Sequence, residues 1–318
     1  MATSQGNTPH NRKEYTMKKL IALVLAVLLC ATCLAAFASC KKKDTAKVKV
    51  IDVALTEEEY AFAVAKGNTA LLTQLNAYLT KIQGDGTFNT IVNKYFGDGT
   101  PTAVTSAASK TNDGTQLVVA TNAAFAPFEY KDGVNYYGID MEIMAGFAQE
   151  IGKTLYIDNM NFDAVCLSVS TNGGPYEDEN GQTVNVAGGL CDVAAAGLTV
   201  TDVRKETLDF STSYYNASQM LIVKADNTEF DACTTAEQIE AILKAKDTNT
   251  KVGAQSGTTG FFYCKGDEEW GFDGFPFTTT GYTTGALAVQ DILNGNLNYV
   301  IIDEGPAKAI VANVNAAN

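Results

Sequence analysis

The stretch "QLVVATNAAFAPFEYKDGVNYYGIDMEIMAGFAQEIG" (116–152) sets the fold class. Its opening "QLVVAT" (116–121) is a short apolar run of strand length. Asp140 stands where a helix cap is expected, an apolar-faced helix follows, and Gly152 marks its end. The same strand-then-helix grammar recurs along the chain. "KVKVIDV" (47–53) alternates apolar and polar residues and reads as a strand. Asn68 then caps a helix in which Leu71, Leu72, Leu75, Leu79 and Ile82 recur at helical spacing. Gly84 and Gly86 break it, and 88–96 forms a second short helix. "CDVAAAG" (191–197), "QMLIVK" (219–224), "KVGAQ" (251–255) and "NYVIID" (298–303) are further strands, separated by helical stretches such as 284–294. Strands alternating with helices imply an α/β fold with parallel sheets covered on both faces. Residues 98–115 are small and polar, the composition of a flexible linker. Residues 169–189, rich in Gly, Asn and Glu, read as a long surface excursion. There is no internal repeat and no phosphate-loop or dinucleotide glycine fingerprint.

Composition narrows the function. The chain has 318 residues, 46% hydrophobic and 19% charged, enough to bury a core in one or two domains. A net charge of −13 excludes a general nucleic-acid binder, which needs a basic face against phosphates. Lys18 and Lys19 precede an apolar run reaching Phe37, the layout of a secretory signal, with Met1 or Met17 as the start. "FASC" (37–40) places small residues before Cys40, as in a lipobox whose cysteine becomes a lipidated first residue. A plain signal peptide cut near Ser39 is the alternative. His10 is the sole histidine and lies in this leader. The processed chain would then lack Ser-His-Asp or Cys-His catalysis and His-ligated zinc, and no metal or cofactor is expected. Beyond the leader, Cys166, Cys191, Cys233 and Cys264 are even in number. In an exported chain they permit two disulfides, Cys166–Cys191 and Cys233–Cys264 by nearest spacing, or four buried thiols. No helix after residue 40 is apolar and long enough to make a membrane-spanning sensor.

Arg204 is the only arginine outside the leader, in a chain that otherwise uses lysine. A planar fork that binds a carboxylate through two parallel hydrogen bonds is a reason for such a choice. A structural salt bridge is the competing account.

"LVVATNAAFAPFEY" with "YYGIDMEI", then "GLTVTDVRKETLDFSTSYY", "GAQSGTTG" and "NGNLNYVIIDEGPA" together resemble the bacterial extracellular amino-acid-binding proteins, the solute-binding subunits of polar amino acid ABC transporters. The resemblance covers most of the chain beyond the leader. It implies a two-lobed, periplasmic-binding-protein-like α/β fold with two hinge crossings, at Thr56–Tyr60 and Tyr214–Ser218. One feature departs from the family pattern. A segment like 57–97 normally closes such proteins, after the "GPAKAIV" helix, whereas here it comes first. The order reads as a circular permutation, with a misassembled or fused gene as the alternative. Lobe 1 is then 60–214, with 98–115 joining the permuted ends. Lobe 2 is 219–318 completed by a strand at 47–55.

The resemblance also implies the site. Arg204 would hold the ligand α-carboxylate, assisted by the backbone and hydroxyls of Thr258 and Thr259. Asp303, Thr199 and the carbonyl of Gly197 would take the ammonium. Phe125 and Phe162 would sandwich the side chain, although core packing is the commoner fate of phenylalanine. Asn122 falls where many members carry an aspartate, so with Gln255 it favours a neutral polar or amide ligand. The expected function is extracytoplasmic binding of a free amino acid between closing lobes, for an ABC transporter permease, without catalysis. The lipid on Cys40 would tether the chain to the outer face of the membrane. The alternative on the same fold is an exported cyclohexadienyl-type dehydratase.

Overall fold

A computed structural model describes residues 46–111, 113–178 and 180–317. The expected signal sequence and Cys40 lie outside them. Every residue of Gln116–Thr121 is buried, because a partner strand lies on each side and helices cover its faces. It is part of a five-stranded sheet in the order Leu208–Phe210, Ala63–Ala65, Val193–Ala194, Gln116–Thr121, Thr154–Asn159. The second sheet runs Val48–Ile51, Gln219–Lys224, Tyr299–Asp303, Lys251–Gln255, Thr278–Tyr282. In each sheet the first two pairings are antiparallel and the last two parallel. The uniformly parallel arrangement expected from alternation is therefore corrected. The physical reason lies in the crossings. One strand of each lobe leaves toward the other lobe and its neighbour returns, so the two run in opposite senses.

The crossings are Glu58–Tyr60 and Tyr215–Ala217, which pair antiparallel with Tyr60 opposite Tyr215. Aromatic rings brace them. Tyr60 meets Phe128 edge-on at 5.0 Å, Phe128 meets Tyr215 at 4.8 Å, and Phe62 stacks on Tyr214 at 4.5 Å between centroids.

The first strand, Val48–Ile51, pairs with Gln219–Lys224 in the register Val48–Lys224 to Ile51–Leu221. The end of the helix Glu304–Ala316 fastens it. The Asn315 side chain accepts from the Lys47 and Val48 amides at 2.7 and 3.2 Å and donates to the Val48 carbonyl at 2.9 Å. The helix Thr69–Gly84 is capped as expected, with the Asn68 side chain accepting from the Leu71 amide. Gly86, at φ 84°, turns the chain into the helix Thr87–Phe96.

Residues 98–115 are not the free coil their composition predicts. Val104 is buried and exchanges backbone hydrogen bonds with Tyr136. The Ala107 amide donates to the Leu155 carbonyl, and Ser106 Oγ accepts from the Ile157 amide at 2.9 Å. The segment is strapped to the outer edge of its lobe. The excursion 169–189 likewise contains a hairpin, Gly174–Glu177 with Thr183–Val186.

All four cysteines of the described residues are free thiols. Neither Cys166–Cys191 nor Cys233–Cys264 is bridged. Each pair shares an apolar cluster, Cys166 and Cys191 in one, Cys233 and Cys264 in another, and is absorbed there as small hydrophobic side chains. Burial raises the Cys191 thiol to about 11 and pushes Cys166 and Cys264 up as well.

Candidate functional site

The short helix Asp202–Thr207 begins at Thr201, whose hydroxyl accepts from the Arg204 amide. This turn carries Arg204 inward until only 6% of it is exposed. Its Nη1 donates to the Thr199 carbonyl at 2.8 Å, within its own lobe, and Nη2 to the Gly257 carbonyl of the other lobe at 3.3 Å. The guanidinium carbon lies 5.6 Å from the Phe162 ring centre and 5.1 Å from that of Trp270. One aromatic from each lobe thus flanks the cation. The fork retains further N–H donors for a ligand.

Asp303 ends the strand Tyr299–Asp303 and is 4% exposed. The Tyr60 hydroxyl donates to it at 2.5 Å. Burial, and then the nearby Glu58 charge, raise its carboxyl to about 7, against the lowering effect of hydrogen bonds from Tyr60 and Gln219. A cavity of about 10 Å³, room for about one water, is lined by Arg204, Asp303, Phe125, Phe162, Gly197, Thr199, Thr258 and Thr259. Eight of the ten side chains or backbone positions singled out from sequence therefore meet in one place. One cation and one buried carboxyl therefore share a single small cavity.

Asn122 and Gln255 do not line this cavity. They bond to each other across the two lobes, Gln255 Nε2 donating to Asn122 Oδ1 at 3.1 Å, while Asn122 Nδ2 donates to the Met160 carbonyl. Gln255 Oε1 is buried and accepts no hydrogen bond among the described residues.

The hydroxyls of the Thr258 turn are also committed. Thr258 donates to the Gln255 carbonyl at 2.7 Å and Thr259 to Glu58 Oε2 at 2.8 Å. In this arrangement both hydroxyl hydrogens are directed at protein acceptors. Gly257, at φ 73°, is required where it stands: a Cβ there would lie 2.3 Å from Asp163 Oδ1 of the facing lobe.

Asp140 is not the helix cap the sequence predicts. Gly138 occupies the cap of Ile139–Glu150, and Asp140 lies inside the first turn, fully buried. Its carboxylate accepts from the Gly197 amide at 2.9 Å and the Tyr214 hydroxyl at 2.5 Å. Burial nevertheless raises it to about 7. Glu129 is buried beside it without a hydrogen-bond partner among the described residues, and burial with the Asp140 and Asp303 charges pushes its carboxyl well up.

Sequence reasoning missed Glu58, Tyr60, Gln219 and Trp270. Glu58 and Tyr60 were read only as hinge, yet alternation along a strand sends both to the same face, toward the pocket. Trp270 is the only tryptophan of the chain, which was a signal available in the composition. Among the described residues no His, Cys, Asp and Glu group is arranged to hold a metal ion.

The family model for bacterial extracellular solute-binding proteins, family 3, matches residues 179–310. The arginine-binding extracellular protein ArtP of Bacillus subtilis is 28% identical over 38% of this chain and 43% of its own length. A Neisseria gonorrhoeae protein with the name "Probable histidine-binding protein" is 26% identical over 65% of each chain. The chain thus spans less than two thirds of either relative. Among solved structures, an ancestral arginine-binding protein bound to arginine is 27% identical, with a TM-score of 0.49 over 64% of this chain and 76% of that one.

Proposed function

We propose that this chain, related through residues 179–310 to the bacterial extracellular solute-binding proteins of family 3, holds a free α-amino acid between its two lobes for delivery to an ABC transporter permease. The observation that carries this reading is the pairing of Arg204 and Asp303 in one enclosed pocket. A ligand carboxylate takes the guanidinium fork and the turn amides. Its ammonium takes Asp303, the Thr199 hydroxyl oxygen and the Gly197 carbonyl. Phe125 and Phe162 flank the side chain.

The side chain favoured is polar and carries N–H donors, with an amide first. The buried Gln255 Oε1, three residues before the pocket-lining Thr258, has no partner among the described residues and supports a donor reaching past the cavity, and the neutral Asn122–Gln255 pair offers no countercharge for a full cation. At about 10 Å³ the cavity holds about one water in this conformation, so the lobes must part about the crossings to admit an amino acid. Closure of the lobes about the two crossings would bury the ligand and present the closed form to the permease.

The permuted order is part of this proposal. Pairing of Val48–Ile51 with Gln219–Lys224, and the strapping of 98–115 along one lobe, support it. So is export, with Cys40 as the lipid anchor on the outer face of the membrane. Among the described residues no helix is long and apolar enough to cross a membrane.

A second reading, an exported cyclohexadienyl-type dehydratase, is favoured by one observation: Asp303 at about 7 would serve as a general acid. Thermal shift against the twenty amino acids, cystine and prephenate separates the two, because a ligand stabilises by mass action. A rise with an amide amino acid and no turnover of prephenate supports the first reading. No shift with any amino acid refutes it.

A further inference from the structure

We infer that Glu58 makes this pocket choose an ammonium group, by fixing the direction in which the hydroxyl hydrogens of Thr199 and Thr259 point. The inference rests on the amino-acid-binding reading above. Glu58 lies on the crossing strand Glu58–Tyr60, between the lobes. Its Oε1 accepts from the Thr56 hydroxyl at 2.7 Å and from Gln219 Nε2 at 3.0 Å. Its Oε2 accepts from the Thr199 hydroxyl at 2.6 Å and the Thr259 hydroxyl at 2.8 Å, one from each lobe.

Both threonines line the pocket. A hydroxyl has one hydrogen, and a carboxylate can only accept. The hydrogens of Thr199 and Thr259 are therefore held on Glu58; the Thr259 oxygen also accepts from Gln219 Nε2 at 3.1 Å, and what either oxygen can turn to the cavity is a lone pair. The Tyr60 hydrogen is spent in the same way on Asp303. With Asp303 ionised, the wall around Thr199 and Asp303 is thus built of acceptors. An ammonium, with three donors, satisfies it. A 2-hydroxy acid brings one donor and a 2-keto acid none, which leaves buried acceptors unpaired. Glu58 need not touch the ligand to do this; it is a positioning residue.

Two substitutions separate orientation from charge. Glu58→Gln puts amide hydrogens against the two hydroxyls, which then accept and swing their own hydrogens into the pocket. Glu58→Asp keeps the charge but draws the carboxylate back from the hydroxyls. Affinities are measured by calorimetry for L-glutamine, L-arginine and L-histidine and for the 2-hydroxy analogue of each. The wild-type preference for the amino acid over its analogue falls by about tenfold or more in both variants, the size of one good hydrogen bond. A merely structural role weakens both ligands alike and leaves the ratio unchanged, which overturns the inference. A fall in Glu58→Gln alone assigns the effect to charge and overturns it too. If wild-type protein binds none of the three amino acids, the binding reading itself fails, and the inference with it.

Discussion

Asp303 ties ligand affinity to pH. Its carboxyl, raised to about 7 by burial and the Glu58 charge, is half protonated near neutrality. An ammonium can sit against it only when it is ionised. The folded value lies above the ordinary 3.8, so the ionised form is the disfavoured one. Its cost is fully present above about pH 7 and fades as pH falls toward 3.8. Over that same range the ligand must displace a proton and loses affinity. Two pH units below the folded value, at pH 5, binding should be about 100-fold weaker than at pH 8, or ~2.7 kcal/mol at ~1.36 kcal/mol per unit. Calorimetry from pH 5 to 8.5 in buffers of different ionisation enthalpy reads both the affinity and the proton released, which approaches about one per ligand at the acidic end. Asp140, also raised to about 7, titrates over the same range, so Asp303→Asn is the control. It should bind weakly with a flat profile. A flat profile in the wild type, or a slope kept in Asp303→Asn, refutes the reasoning.

Arg204→Ala removes the fork that holds the carboxylate and should weaken amino-acid binding by about 3 kcal/mol or more, on the order of a hundredfold. Calorimetry finding unchanged affinity contradicts the site. A chain beginning after Cys40 should show four thiols when titrated with a disulfide reagent in urea without reductant, and far slower reaction when folded, since burial raises three of the four. Two thiols or none would restore a disulfide framework. Val104→Ala should lower stability to urea by about 2 kcal/mol, because Val104 is the buried side chain that pins the 98–115 segment to its lobe. A change below about 0.5 kcal/mol is the behaviour of a free linker.

The strands that decide the fold were legible because they are short apolar runs between helices with an apolar face. Gln116–Thr121, Gln219–Lys224 and Lys251–Gln255 lie within the bounds read from sequence. Strand direction was not legible, since it depends on which lobe each strand has come from. The 98–115 segment misled because its composition lacks large apolar residues, while its order comes from backbone bonds to Tyr136 and Leu155 and one buried valine. Arg204 stood out by its rarity, and Asp303 by its place after an apolar strand. Glu58 did not, being one of three adjacent glutamates whose difference is only the face of a strand. Asp140 looked like a cap because sequence distinguishes position along a helix poorly from burial against a neighbour. The hydrogen inventory of Thr258 and Thr259 was beyond reach, as it requires knowing which acceptors stand opposite.

Pairing of the first strand with partners near the far end of the chain has a consequence for biogenesis. Val48 and Asn315, which bond to each other, are separated by 267 residues. Residues 61–214 form their lobe as one uninterrupted length and can assemble as soon as they emerge. The strand Val48–Ile51 emerges earlier yet has no sheet to join until Gln219–Lys224 arrives. Over that interval its apolar edge is exposed and open to wrong pairings, and closing so long a loop is slow. Maturation of the second lobe therefore waits on Gln219–Lys224 and on the helix Glu304–Ala316, and the pocket between the lobes is assembled after them.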